Sequence, residues 1–136
     1  MPGAGHIYSS SKIAGEFLIC DYQKLYGVPS TIFRYGIPYG PRMRMELVIP
    51  IFLRKAFNGE PLTISGDGSQ YRNFIYVEDL ADAHVLALED KAENQILNLE
   101  GIRRITIKEM AETIQKLVEK DVEIEFMPAR PGDFEG

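Results

Sequence analysis

Apolar residues recur at helical spacing from Ser9 to Tyr26. Ile13, Phe17, Cys20 and Lys24 fall along one side, and Ala14, Leu18 and Leu25 widen the stripe. Gly27 and Pro29 supply the stop signals. The β-prone run Thr31-Ile32-Phe33-Arg34-Tyr35 predicts a short buried strand, and Gly36, Pro38, Gly40 and Pro41 predict a loop after it. A second helix is expected from Leu47 to Asn58, with Ile49, Phe52, Leu53, Ala56 and Phe57 inward and Gly59 as its stop. Leu62 to Ile64 predicts a strand, Ser65 to Gly68 a turn, and Arg72 to Val77 a further strand. Glu78 to Leu88 predicts a helix carrying Leu80, Ala83, Ala87 and Leu88, and Gln95 to Leu99 a strand. Thr106 and Glu109 stand at capping-box spacing before the most regular amphipathic pattern in the chain, Ile107, Met110, Ala111, Ile114, Leu117 and Val118. Val122 to Met127 predicts a last strand, followed by a loop from Pro128 to Gly136. Single short strands alternating with helices place the chain in the α/β class.

Composition narrows the function classes. The 136 residues, 45% apolar and 26% charged, describe a globular domain with its own core. No long uncharged apolar run predicts a membrane span, and Met1 to His6 lacks the form of a secretory signal. A net charge of −5 argues against nucleic acid as a partner. The single cysteine, Cys20, reads as a core thiol and fits a reducing cytoplasm. His6 and His84 are far apart, with no Cys/His ligand spacing, so no metal site is expected. Arg34, Arg42, Arg44, Arg72 and Arg130 fall in or near loops and strand ends, where a guanidinium can grip phosphate bidentately.

The most informative chemistry is Tyr8-Ser9-Ser10-Ser11-Lys12. On a helix, its phenol and ammonium share one face, about 5.4 Å apart along the axis. An ammonium beside a phenol favours the phenolate, and a phenol so tuned can exchange a proton with a substrate hydroxyl near neutral pH. Neither Gly3-Ala4-Gly5 nor Gly66-Asp67-Gly68 completes the Gly-x-Gly-x-x-Gly dinucleotide fingerprint, and Gly66 and Gly68 read as turn residues. Arg130-Pro131-Gly132-Asp133 places a cation and an anion in one constrained loop, suited to a phosphate and to ribose hydroxyls.

Five blocks in order resemble the extended short-chain dehydrogenase/reductase family, in its branch of nucleotide-sugar epimerases and dehydratases typified by UDP-glucose 4-epimerase. They are Tyr8-Ser9-Ser10-Ser11-Lys12 with Glu16 and Tyr26-Gly27; Arg34-Tyr35 with Tyr39-Gly40-Pro41; Val48-Ile49-Pro50; Gly66-Asp67-Gly68 with Arg72, Phe74 and Tyr76-Val77-Glu78-Asp79-Leu80; and Arg130-Pro131-Gly132-Asp133. The resemblance implies a partial Rossmann-like edge, made of the catalytic helix and the following strand, and a small C-terminal substrate-binding α/β domain. Residues 1–45 would be the remnant of the dinucleotide-binding domain and 46–136 the nucleotide-sugar domain, truncated at its C-terminus.

The same resemblance implies roles. Tyr8 would be the general base/acid, and Lys12 would tune it and hydrogen-bond the nicotinamide ribose of NAD. Tyr35 and Pro38 would pass beside the nicotinamide. Val48, Thr63, Arg72, Arg130 and Asp133 would contact a nucleotide-sugar, most simply a UDP-sugar, with the arginines on the diphosphate and Asp133 on the ribose. A cytoplasmic homodimer is implied, without nucleic acid or membrane as partner. Ile37 stands where the family often has an Asn that touches substrate. The family's glycine-rich NAD loop is expected to precede Met1, so the isolated chain is expected to bind a nucleotide-sugar without turning it over.

Overall fold

The computed structural model describes residues 7–129. In chain order the elements are α1 (Ile7–Tyr26), β1 (Ile32–Tyr35), β2 (Ile37–Tyr39), α2 (Val48–Asn58), β3 (Leu62–Ser65), β4 (Tyr71–Tyr76), α3 (Val77–Leu86), β5 (Ile96–Leu99), β6 (Arg104–Thr106), α4 (Ile107–Val118) and β7 (Ile124–Met127), with a 3-10 turn at Asp90–Ala92. This is the mixed α/β class that the alternation predicts. The described residues fold as two compact units, 7–34 with 81–99 and 35–80 with 100–129. Each is thus assembled from separated stretches, whereas the sequence reading placed one boundary at 45/46.

The first unit holds α1 and the pair β1–β5. The pair is registered by Ile32 N–H donating to the Gln95 carbonyl at 2.9 Å, and Asn94 N–H to the Ser30 carbonyl at 2.7 Å. Thr31 Oγ1 donates to the Ala92 carbonyl at 2.7 Å, and Ile32 and Ala92 are buried. Here the structure corrects four expectations. No residue of α1 is buried: Phe17 and Leu18 lie open at 67% and 61%, Leu25 at 73%, and Cys20 is half-buried rather than a core thiol. An amphipathic helix buries its stripe only against another layer, and a two-stranded pair is too narrow to be one. For the same reason β1 is buried at Ile32 but exposed at Arg34 and Tyr35. Leu88 lies past the end of α3 and is exposed.

The second unit contains the main core. Strand β4 lies between β2, parallel in the register Ile37↔Phe74, and β6, antiparallel in the register Arg72↔Ile105. Strands β3 and β7 pair in parallel, Leu62 opposite Ile124. Helices α2 and α4 pack on each other and on β3. Phe52, Ala56, Leu62, Ile64, Met110, Ala111, Ile114 and Val122 form the buried cluster between them.

The helix ends follow from sequence. Gly59, at φ 73°, ends α2 in the left-handed region that favours glycine, its N–H donating to the Ala56 carbonyl at 3.1 Å. Thr106 caps α4: its Oγ1 accepts from Glu109 N–H at 3.0 Å while Glu109 Oε2 accepts from Thr106 N–H at 2.8 Å. The Thr106 N–H, and second the Thr106 hydroxyl, which donates to Oε2 at 3.1 Å, hold the Glu109 carboxyl below its ordinary range. Phe57 is exposed, because it sits about 100° round the helix from Ala56 and off the Phe52–Ala56 line. Leu117 is exposed too, the core-facing line running through Met110, Ala111 and Ile114.

Candidate functional site

Two clusters carry the chemistry singled out in the sequence, one in each unit. In the first, α1 sets Tyr8, Lys12 and Glu16 one turn apart on one helical face. Lys12 Nζ stands over the Tyr8 ring, 5.2 Å from its centroid, and the phenol is 63% exposed. Ser11 Oγ donates to the Tyr8 carbonyl at 2.7 Å. This is the one-face arrangement of phenol and ammonium that the spacing predicts, open to a reactant. An exposed phenol and ammonium are a donor set that fits hydroxyls of a ribose.

Glu16 binds Arg34 of β1 in a two-point ion pair, Nε to Oε1 at 2.9 Å and Nη2 to Oε2 at 2.6 Å. The Arg34 hydrogen bonds hold the Glu16 carboxyl below its ordinary range, opposed by burial and helped, to a lesser extent, by the Arg34 charge. The same contacts raise the Arg34 guanidinium. Arg34 was a candidate phosphate grip, and the structure corrects that: the guanidinium fork is already turned onto a carboxylate.

In the second unit a cleft of about 480 Å³ opens between the start of α2, β3 and the start of β4. Three candidate substrate residues line it together: Val48 from α2, Thr63 from β3 and Arg72 from β4. Ile37 lines it as well. Arg72 is half-buried, and its Nη1 donates to the Tyr71 carbonyl at 2.7 Å. Thr63 Oγ1 accepts from Lys55 Nζ at 2.9 Å. The first turn of α2 borders the cleft, and its N-cap, Leu47, makes no side-chain capping bond. Of the first turn, Val48 and Ile49 carry N–H groups without intrahelical acceptors, Pro50 having none and Ile51 N–H donating to the Leu47 carbonyl at 3.0 Å, and those two attract anions. Glu46, at the rim, is the one carboxylate in the lining and opposes them.

Gln70 also lines the cleft: its Nε2 donates to the Ser65 carbonyl at 2.9 Å, and its Oε1 is a buried acceptor with no hydrogen-bond partner. Sequence reasoning missed Gln70, Glu46 and Lys55. Lys55 sits eight residues before Thr63, a separation that carries no helix or hairpin signal, and Gln70 follows a turn without any distinguishing pattern.

The remaining candidates are placed more simply. Tyr35 is the exposed end of β1, and Pro38 lies on β2 opposite Ile75. The predicted loop at 36–41 therefore contains a strand. A Pro in it is tolerated because β2 is at the sheet edge, where its missing N–H breaks no ladder. Arg42 and Arg44 are exposed between β2 and α2. His84 packs edge-on against Phe33, centroids 4.9 Å apart. Arg130 and Asp133 lie outside the described residues. Among the described residues no helix is long and apolar enough to cross a membrane.

Similarity to known proteins runs through most of the chain. The NAD dependent epimerase/dehydratase family matches residues 3–99. A trifunctional UDP-glucose 4,6-dehydratase/UDP-4-keto-6-deoxy-D-glucose 3,5-epimerase/UDP-4-keto-L-rhamnose-reductase of Arabidopsis thaliana is 36% identical over 126 residues, covering 91% of this chain and 19% of that protein. A UDP-N-acetyl-alpha-D-glucosaminuronate decarboxylase of Bacillus cytotoxicus is 37% identical over 134 residues, covering 94% of this chain and 41% of that one. Among solved structures, UDP-glucuronic acid 4-epimerase of Bacillus cereus, in complex with UDP-glucuronic acid and NAD, superposes with a TM-score of 0.83 at 32% identity. The match covers 94% of this chain and 41% of that one. The chain therefore spans less than half the length of each of these relatives.

Proposed function

The chain belongs to the NAD dependent epimerase/dehydratase family, and from that premise we propose that it is the sugar-nucleotide-holding part of an NAD-dependent enzyme of the UDP-glucose 4-epimerase type. The observation that carries this reading is the convergence of Val48, Thr63 and Arg72 on one cleft bordered by the uncapped start of α2. That cleft offers a cation and helix N–H groups to a diphosphate, and apolar walls to a base or sugar. Arg130 and Asp133 complete the contacts in this reading, Arg130 on the diphosphate and Asp133 on the ribose.

Tyr8 is the proton-transferring group. Its Oη takes the proton from a sugar hydroxyl as the carbon beneath is oxidised, and returns it when the ketone is reduced. Lys12 Nζ, over the ring, stabilises the phenolate in between. In this reading Tyr8 and Lys12 would hold the nicotinamide ribose, and Tyr35 and Pro38 would be the residues beside the nicotinamide. NAD, when bound, supplies the site that accepts and returns hydride. The sequence contains no Gly-x-Gly-x-x-Gly, so the chain by itself binds a UDP-sugar and does not turn it over. A dehydratase or decarboxylase acting on the same class of substrate is the second reading, favoured by relatives that carry those names.

Cytoplasmic location and homodimerisation belong to the same proposal. The single cysteine fits the first, and the uncovered apolar side of α1 the second. Light scattering then gives twice the 15.4 kDa chain mass; a monomer at all concentrations refutes the dimer. Calorimetric titration of the folded chain with UDP tests the binding reading. Saturable heat is expected, and no heat from a chain whose folding is verified by circular dichroism rules it out.

A further inference from the structure

The face that carries Tyr8 and Lys12 continues one turn further to Glu16. Lys12 therefore has two neighbours at four-residue spacing, an aromatic ring on its N-terminal side and a carboxylate on its C-terminal side. Helical side chains lean toward the N-terminus, so Lys12 leans over Tyr8 and Glu16 leans back toward Lys12. A carboxylate in this order, four residues C-terminal to a lysine, attracts the ammonium somewhat less than an exposed aromatic face does, so the two compete for it. The ammonium stands over the ring, 5.2 Å from its centroid. Both Glu16 oxygens are held by Arg34, Nε on Oε1 and Nη2 on Oε2.

We propose that Arg34 is a positioning residue: by occupying both oxygens of Glu16 it screens that carboxylate from Lys12 and leaves the ammonium on Tyr8. The functional consequence rests on the reading of Tyr8 as the proton-transferring group; the geometric claim does not. Two further observations support it. Glu16, one helical turn from Lys12 and ionised at neutral pH like any ordinary carboxylate, has its charge met by Arg34, Nη2 to Oε2 at 2.6 Å. And α1 buries no residue, so close packing does not fix the Lys12 side chain, and local charges decide where it rests.

Proton–carbon NMR of the chain with labelled lysine reads this directly. The ring current of Tyr8 displaces the ε-methylene signal of Lys12 upfield of the other lysines, and Tyr8→Leu identifies that signal by abolishing the displacement. Arg34→Ala is expected to remove at least half of the displacement, as Lys12 swings to the unscreened carboxylate. Arg34→Ala combined with Glu16→Gln is expected to restore it, and Glu16→Gln alone to leave it intact.

A displacement unchanged in Arg34→Ala overturns the proposal. So does its loss in the double variant or in Glu16→Gln alone, because either result makes the ion pair a strut rather than a screen. Glu16→Gln keeps the test decisive even if Arg34→Ala does not fold. In an NAD-loaded enzyme containing this chain, Arg34→Ala should lower kcat with KM unchanged, and Glu16→Gln should rescue it. Failure of that rescue alongside the expected NMR result counts against the role given to Tyr8, not against the screening.

Discussion

Replacing Arg72 by Leu separates the diphosphate from the rest of the ligand. The half-buried guanidinium has five N–H donors, of which one is spent on the Tyr71 carbonyl at 2.7 Å. The others are available to phosphate oxygens at the cleft. A hydrogen bond to a charged group contributes about 1.5–3 kcal/mol, so losing one such contact weakens UDP binding roughly 10- to 150-fold at about 1.4 kcal/mol per decade. Leu keeps much of the apolar stem that lines the cleft and cannot hydrogen-bond. The freed Tyr71 carbonyl costs about 1 kcal/mol of fold stability, which urea unfolding monitors in parallel.

The assay is calorimetric titration with UDP and, separately, with uridine, which has the same base and ribose but no phosphate. The expected result is a large loss for UDP and no change for uridine. An equal loss for both, or no loss for either in a folded variant, refutes the assignment of Arg72 to the diphosphate.

Three further outcomes follow from the fold. Leu62→Ala, at a position with no exposed surface inside the α2–β3–α4 cluster, should destabilise the chain by about 2–5 kcal/mol in urea unfolding; a loss below about 1 kcal/mol would mean the second unit is not closed around β3. Thr106→Ala should cost about 1 kcal/mol, through the cap of α4 alone, with no change in UDP affinity. Glu16 and Glu109 are both held below their unfolded values, so their stabilising contributions are complete above the unfolded carboxylate range and disappear as pH falls through the folded values. The urea midpoint should therefore fall on acidification from pH 6 to pH 3, and Glu109→Gln should flatten part of that slope; a midpoint that rises on acidification would contradict the sign.

How much of this was legible from sequence depended on the kind of signal each element gives. Helix α4 was readable because its stripe, its capping box and its length agree. The end of α2 was readable at Gly59. Strands β2 and β6 were not: each has three residues, one contains a Pro, and the other ends on a Thr that also caps a helix. Such strands exist because β4 offers both edges, which is a tertiary fact with no local trace. The apolar pattern of α1 reported amphipathicity correctly and burial wrongly, because a pattern says which face wants cover and not whether cover is there.

The candidate site divides the same way. Tyr8 and Lys12 were found by spacing along one helix. Val48, Thr63 and Arg72 were named from ordered motif resemblance, and that they share one cleft is geometry alone. The engagement of Arg34 by Glu16 needs α1 beside β1, eighteen residues apart in the chain, and no local pattern announces it.

The parallel pairing of β3 with β7 has a consequence for synthesis. Leu62 cannot meet Ile124 until about 62 further residues have been made, on the order of 3–12 s at ribosomal rates of about 5–20 residues per second. Every stretch of the first unit is made by Leu99, before α4 and β7 of the second unit exist. For that interval the side chains of Leu62 and Ile64, among the most deeply buried of the finished fold, have no helix α4 to cover them, and the edge of β3 has no partner strand. The nascent second unit is thus most exposed to wrong pairing during translation, and slowing elongation between residues 65 and 124 lengthens that window.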